Sequence, residues 1–291
     1  MEFVLHRFVL HNDRIREVSD PDLSPGQVGL LSGWGVFSTL RVADGVPFAF
    51  ERHWARIARD AAALHVPLPK DAGEVQRRLL ELVAANRAFN STLRLVIVRN
   101  GGGMWAGPSN GRASDVIALT ADSKDWGEGV KLGYVSNARF SAGEFSNAKI
   151  LCWAMNLTWV ESAQERGLDE VVLLNEHGQV AECTSANIFA SNGGQVWTPP
   201  VSSGCLPGIT REVLLEEIRV PGISIVEKTL TTAELESADE VFITSTTRNL
   251  LPVHAIEGKK IGRTDHTRRQ LADAFTEYVD RYVAAHRTAA V

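Results

Sequence analysis

The stretches Phe145–Val160, FSNAKILCWAMNLTWV, and Ala181–Phe189, AECTSANIF, decide how this chain is read. In the first, Lys149 is flanked by Ala148, Ile150, Leu151, Cys152 and Trp153. A lysine among apolar residues points to burial, and burial disfavours the ammonium ion unless it is paired or neutral. A helix is predicted over about Ile150–Arg166, stopping at Gly167, a residue suited to the position just past a helix end. In the second stretch, Glu182 follows Val180 and Ala181 on a strand reached from Glu170–Leu174 through a turn at His177-Gly178. Alternation alone leaves Glu182 either on an exposed edge or turned into a site.

Working outward, GCLPGITRE (204–212) predicts a helix start with Thr210 as N-cap and Glu212 and Glu216 in the early turns. FITSTTRNLLPV (242–253) carries a late threonine cluster. At the other end, strand-like runs at 3–10 and 13–18 meet at Asn12-Asp13. Gly35–Val42 and Val46–Phe50 read as strands around Asp44-Gly45, a strong hairpin pair. Helices are predicted over about Glu51–Leu64 and Ala72–Ala88, the latter with Val75, Leu79, Leu82 and Val83 on one side. Thr92–Arg99 and Val116–Thr120 read as strands, separated by the loop Asn100–Arg112. Further strands are predicted at Val130–Ser136, Ala186–Ala190, Gln195–Thr198, Ile223–Glu227 and Glu240–Thr244, with a last helix over about His266–Ala285. Strands arranged mostly as hairpins argue for an α+β fold and against a doubly wound parallel sheet. The polar stretch 121–129 is the expected linker between a small domain, 1–120, and a larger one, 130–291.

The length, 291 residues, suits two domains at ~150 residues each. Thirty basic against 35 acidic side chains leave a net charge of −5, so no strong positive field exists to draw nucleic acid or an anionic membrane. The apolar runs fall far short of the ~20 residues a membrane-spanning helix needs. The start, MEFVLHRFVLHNDRIR, scatters charge where a signal peptide would carry an apolar run. Cys152, Cys183 and Cys205 form no C-x-x-C pair. Neither a disulfide framework nor a metal site is expected, which suits a reduced, cytoplasmic setting with the cysteines as small apolar fillers.

Lysine forms Schiff bases with carbonyl compounds and with pyridoxal phosphate. A carboxylate against the pyridine nitrogen makes that ring an electron sink, and amides at a helix start form an anion site. Taken in order, these segments resemble the class IV pyridoxal-phosphate-dependent aminotransferases. That family includes branched-chain aminotransferases, D-amino-acid aminotransferases and 4-amino-4-deoxychorismate lyase. The resemblance runs from Gly35-Val36-Phe37 to Pro252. It rests on the Lys149-to-Glu182 spacing, the Glu182-to-Phe189 run, Leu206-Pro207-Gly208-Ile209-Thr210 and the threonine cluster.

The resemblance implies a small N-terminal α/β domain, a larger C-terminal domain with a mostly antiparallel, barrel-like sheet, and pyridoxal 5′-phosphate between them. By it, Lys149 would form the Schiff base and shuttle the substrate's α-proton, and Glu182 would pair with the ring nitrogen. Arg56, in HWARI, looks like the arginine of the family's His-x-x-Arg-Leu and would bind the phosphate with the Ile209 amide, Thr210 and Thr246. Ser245 would border that cup and Leu206 would press on one ring face. A homodimer is implied, with a loop of one subunit bordering its neighbour's site.

Substrate recognition requires a carboxylate site, which arginines suit. Arg94 and Arg99 lie five apart on one strand and so point to opposite faces. Arg94 matches an arginine of the branched-chain branch, whereas Arg99 sits where the D-amino-acid and lyase branches carry theirs. Arg41, Arg248 and the Thr247 amide are further candidates, and Phe37, Trp34, Trp105 and Trp153 are candidate apolar walls. His53 is expected to be structural, as a helix hydrogen-bond partner. The chain departs from the family pattern at Ser38, where a glutamate is usual. It departs again at Asn100-Gly101 after Arg99, at the GGGMWAGP loop (101–108), and at Ala154, where the branched-chain branch has tyrosine. Gly101-Gly102-Gly103 precedes no helix, so it is read as a hairpin loop or a loop over the site and not as a nucleotide cradle. The expected activity is a ping-pong transfer between a branched-chain or hydrophobic L-amino acid and a 2-keto acid. The alternatives are aminodeoxychorismate lyase, a D-amino-acid aminotransferase, and a binding protein without chemistry.

Overall fold

The computed structural model describes residues 4–20, 27–103 and 111–287; the candidate wall residue Trp105 lies outside them. The chain divides into two compact units. One gathers the chain up to Lys124, the short piece Ala148–Cys152 and the chain from Asp280 onward; the other takes Asp125–Asn147 and Trp153–Val279.

The first unit contains β1 (Leu5–His11), β2 (Arg14–Glu17), α1 (Val28–Ser32), β3 (Gly35–Ala43), β4 (Val46–Pro47), α2 (Phe50–Ala63), α3 (Ala72–Asn86), β5 (Ser91–Arg99) and β6 (Ser114–Asp122). Its six strands form an antiparallel sheet in the order β2-β1-β6-β5-β3-β4. Asp44 and Gly45 carry φ of 48° and 83°, the positive values a two-residue hairpin turn requires. The strand predicted to reach Phe50 ends at Pro47, because Phe50 already opens α2. Asp71 caps α3 by accepting the Gly73 and Glu74 N–H groups. Ile57, Ala61, Leu79 and Leu82 of the helices pack with Val36, Leu40, Leu93, Leu95 and Ile97 on one face of the sheet. Strand alternation therefore sends Phe37, Thr39, Arg94 and Val96 to the opposite face.

The second unit contains β7 (Val130–Arg139), α4 (Ala154–Glu165), β8 (Glu170–Asn175), β9 (Val180–Cys183), β10 (Asn187–Asn192), β11 (Gln195–Thr198), α5 (Ile209–Glu216), β12 (Ser224–Glu227), α6 (Thr232–Ser237), β13 (Glu240–Ser245), β14 (Asn249–Ile256), β15 (Lys259–Lys260) and the start of α7 (His266–His286). Eight strands run β12-β11-β10-β13-β14-β7-β8-β9, and β15 pairs with β14. The parallel pairings are β11–β12, β14–β7 and β7–β8; the others are antiparallel. The sheet curls into a half-barrel around Val172, Val180, Ile188, Leu235 and Ile243, and Phe189 stacks on Phe242 at 5.1 Å. The α+β architecture is the expected one. None of the described helices is long and apolar enough to cross a membrane.

Two predicted helix starts move. The helix expected from Ile150 begins at Ala154, with Trp153 as its N-cap. The preceding residues are extended: Phe37 N–H donates to the Lys149 carbonyl at 3.1 Å, and Leu151 N–H donates to the Gly35 carbonyl at 3.0 Å. Those main-chain groups are satisfied by β3 and cannot join a helical ladder. Gly35 permits the approach, since a Cβ there would meet the Ile97 carbonyl and Leu151 Cδ1 at 2.5 Å. The second change is at α5, where Gly208 and not Thr210 is the N-cap, so Thr210 lies inside the first turn.

Candidate functional site

In the first unit a polar stripe on α2 meets β3 and the lysine segment. His53, Arg56 and Asp60 recur at helical spacing on one side of α2 and are all buried. Asp60 Oδ2 accepts the Lys149 main-chain N–H at 2.9 Å, and Asp60 Oδ1 accepts from the Arg59 guanidinium. Lys149 is thus gripped through both its backbone groups, and its Nζ lies 4.5 Å from the centre of the Phe37 ring. Arg56 is buried, and its Nη2 donates to Ser38 Oγ at 2.8 Å. Ser38 Oγ also lies 2.7 Å from His53 Nδ1, so His53 bonds a strand hydroxyl and not its own helix. Burial first, then the charges of Arg56 and Lys149, hold the His53 imidazole well below its usual pKa, which keeps it neutral.

Arg94 and Arg99 separate as their spacing predicts. The Arg94 guanidinium lies 4.1 Å from the centre of the Phe37 ring, which the Lys149 amine also approaches at 4.5 Å. Arg99 lies 4.2 Å over Trp34 and donates to the Gly101 and His65 carbonyls at 2.6 Å. Trp34 donates to the Leu64 carbonyl and packs against the core.

In the second unit the organising group is Glu182, which is buried and not on an exposed edge. Its Oε1 accepts from Arg139 Nε at 3.1 Å and its Oε2 from the Leu206 N–H at 3.0 Å. Asn187 Nδ2 donates to the Leu206 carbonyl at 2.8 Å, so the segment before α5 is held from two sides. Helix α5 opens without a side-chain cap, and Ile209 and the buried Thr210 occupy its first turn. Its leading N–H groups and the Thr210 hydroxyl are the donor set an anion requires. Ser245, Thr246 and Thr247 lie at the turn from β13 to β14, where the Arg248 N–H donates to Ser245 Oγ.

Several candidates have other duties. Arg248 is ion-paired with Glu170 at 3.3 Å, bonded to Ser185 and stacked on Trp126 at 3.8 Å, so its guanidinium is committed inside its own unit. Cys183 and Cys205 are buried fillers; burial and then the Glu182 charge push the Cys205 thiol up to about 12. Cys152, by contrast, is exposed. Sequence reasoning missed Asp60 and Arg139, and it marked Asn187 only as part of the Glu182-to-Phe189 run, without a role. Asp60 carried a legible signal, its helical spacing from His53 and Arg56. Arg139 and Asn187 meet partners 43 and 19 positions away in the chain, beyond the reach of local periodicity.

Each unit carries groups of the kind that suit pyridoxal phosphate: the first a primary amine fixed by its backbone, the second a buried carboxylate oriented by a guanidinium and an amide and an uncapped helix start with a buried threonine. Residues 35–256 match the family model for class IV amino-transferases. The chain is 32% identical over 253 residues to a putative branched-chain-amino-acid aminotransferase of Methanocaldococcus jannaschii, covering 86% of this chain and 88% of that protein. It is 31% identical over 258 residues to the D-alanine aminotransferase of Bacillus licheniformis, covering 87% and 90%. The crystal structure of the branched-chain aminotransferase from Thermoproteus uzoniensis with norvaline is similar in fold, with a TM-score of 0.86 and 26% identity over 96% of this chain and 98% of that one.

Proposed function

The chain belongs to the class IV aminotransferases, and from that premise we propose that it moves an amino group between a hydrophobic L-amino acid and a 2-keto acid in two half-reactions. Pyridoxal phosphate supplies, when bound, an aldehyde that takes the amino group and a ring that withdraws electrons from the substrate's α-carbon. Lys149 holds the group through Nζ and, once released, takes and returns the α-proton. The grip of Asp60 and Phe37 on its backbone limits where that amine can go. Glu182 binds the ring nitrogen, with Arg139 and the Leu206 N–H fixing its orientation. Arg56, the Ile209 N–H, Thr210 and Thr246 hold the phosphate, Ser245 borders them, and the Leu206 side chain covers a ring face.

Arg94 is the residue we assign to the substrate carboxylate, with the Thr247 amide as a second donor and Phe37 as an apolar wall. Arg94 shares the Phe37 ring with Lys149, whereas Arg99 spends donors on two carbonyls. We assign a homodimer as the working form. Exposed Phe140, Phe145, Met155 and Leu157 supply apolar surface for a partner in the second unit, and light scattering that returned a monomer would remove that assignment.

The observation that carries the reading is the doubly held Lys149 with its amine against Phe37. Lys149→Ala is expected to lose both turnover and the cofactor's near-ultraviolet to visible absorbance band; retention of either would overturn it. Similarity to D-alanine aminotransferase supports a second reading, a D-amino-acid donor. A half-reaction panel of L- and D-amino acids decides between them. Pyruvate and 4-aminobenzoate from aminodeoxychorismate without an acceptor would indicate the lyase.

A further inference from the structure

The buried triad of Arg56, Ser38 and His53 supports an inference that rests on the assignment of Arg56 to the phosphate. We infer that Ser38 and His53 are positioning residues for Arg56, forming a neutral relay that aims its guanidinium at a phosphate without cancelling its charge.

Arg56 has only donors, so the 2.8 Å contact from Nη2 makes Ser38 Oγ the acceptor. The Ser38 side chain is fully buried, and its hydroxyl hydrogen also needs a partner. His53 Nδ1, 2.7 Å away, can accept it. The ring's other nitrogen, Nε2, is buried and has no hydrogen-bond partner among the described residues, whichever tautomer is present. The Nδ1–H tautomer would add an unmet hydroxyl hydrogen to that deficit. The Nε2–H tautomer leaves only Nε2 unmet and is therefore favoured. A doubly protonated ring would lose the acceptor and add a cation beside Arg56 and Lys149, and burial and both charges oppose it.

The order of bonds is Arg56 to Ser38 to His53. A carboxylate at position 38 would form an ion pair with Arg56 and draw on its charge; a hydroxyl bonds it without an opposing charge of its own. Ser38 lies on β3 and His53 and Arg56 on α2, so the relay also sets the rotamer of a long side chain against a rigid strand.

The test uses the full chain stripped of cofactor and titrated with pyridoxal phosphate and, separately, with pyridoxal, which lacks the phosphate. Ser38→Ala is expected to weaken pyridoxal phosphate about tenfold, the worth of one hydrogen bond to a charged donor, and to leave pyridoxal within about twofold. Ser38→Thr, which keeps the hydroxyl, is expected to restore most of the loss, and Ser38→Cys, close in size but a poor acceptor, to behave as Ser38→Ala. Nitrogen-15 spectra at neutral pH are expected to show His53 neutral and protonated on Nε2. Arg56→Gln separates the two claims. If it weakens pyridoxal phosphate selectively while Ser38→Ala does not, the relay is overturned and the Arg56 assignment stands. If Arg56→Gln leaves the two affinities in their wild-type ratio, the Arg56 assignment itself fails. A His53 ring protonated on Nδ1 also overturns the relay.

Discussion

Asp60 and Lys149 are joined by a 2.9 Å hydrogen bond between a helix carboxylate and a main-chain N–H 89 positions further along the chain. The bond joins α2 to a segment that also pairs with β3. The lysine proposed to hold the cofactor is thereby fixed at its backbone. Asp60→Ala leaves that partly buried N–H without its acceptor and strips the Arg59 guanidinium of a partner. The expected loss is ~1–3 kcal/mol of stability, read by denaturant unfolding, with a fall in kcat larger than any change in KM. Asp60→Asn, which keeps one acceptor oxygen, should lie between the variant and the wild type.

Glu182 depends on Arg139 in the same way. Arg139→Ala removes the donor to Oε1 and leaves the carboxylate held by the Leu206 N–H. Cofactor affinity and kcat are both expected to fall, by about one to two powers of ten for ~1.5–3 kcal/mol. Arg139→Lys should recover part of this, because a single Nε–H bond of 3.1 Å is involved and not a bidentate fork. Spectral titration with pyridoxal phosphate measures it.

Gly208 sits where a Cβ would lie 2.1 Å from Asn187 Oδ1, and Asn187 also anchors the Leu206 carbonyl. Gly208→Ala therefore pushes the start of α5 away from β10. Overpacking of this kind costs ~1–3 kcal/mol. Weaker binding of pyridoxal phosphate relative to pyridoxal, with a lowered Tm, is the expected result.

His53 makes stability depend on pH. Its folded pKa lies well below the usual 6.5, so below pH 6.5 the unfolded chain binds a proton that the folded chain refuses. Stability is then full above about 6.5 and declines as the pH falls toward the depressed folded value, by up to about 1.4 kcal/mol per pH unit. His53→Gln should remove that component. The difference between wild-type and variant unfolding free energies, followed from pH 7.5 down to 5, is expected to shrink steadily; a constant difference would contradict the buried neutral ring.

Much of this protein was legible in its amino-acid order. Asp44-Gly45 announced a hairpin, the apolar period predicted over Ala72–Ala88 announced α3, which ends at Asn86, and the ordered Lys149, Glu182 and Leu206–Thr210 segments pointed to the family, because short-range propensity and side-chain type suffice for such features. The tertiary structure alone decided that α4 waits until Ala154, that Gly208 and not Thr210 caps α5, and that Arg248 answers to Glu170. It alone brought Asp60 to Lys149, Arg139 to Glu182 and Ser38 to His53. Each of these is settled by a hydrogen bond or close approach between segments distant in sequence. Local periodicity carries no information about such partners, and an unmet buried polar group costs more than the local preference it overrides.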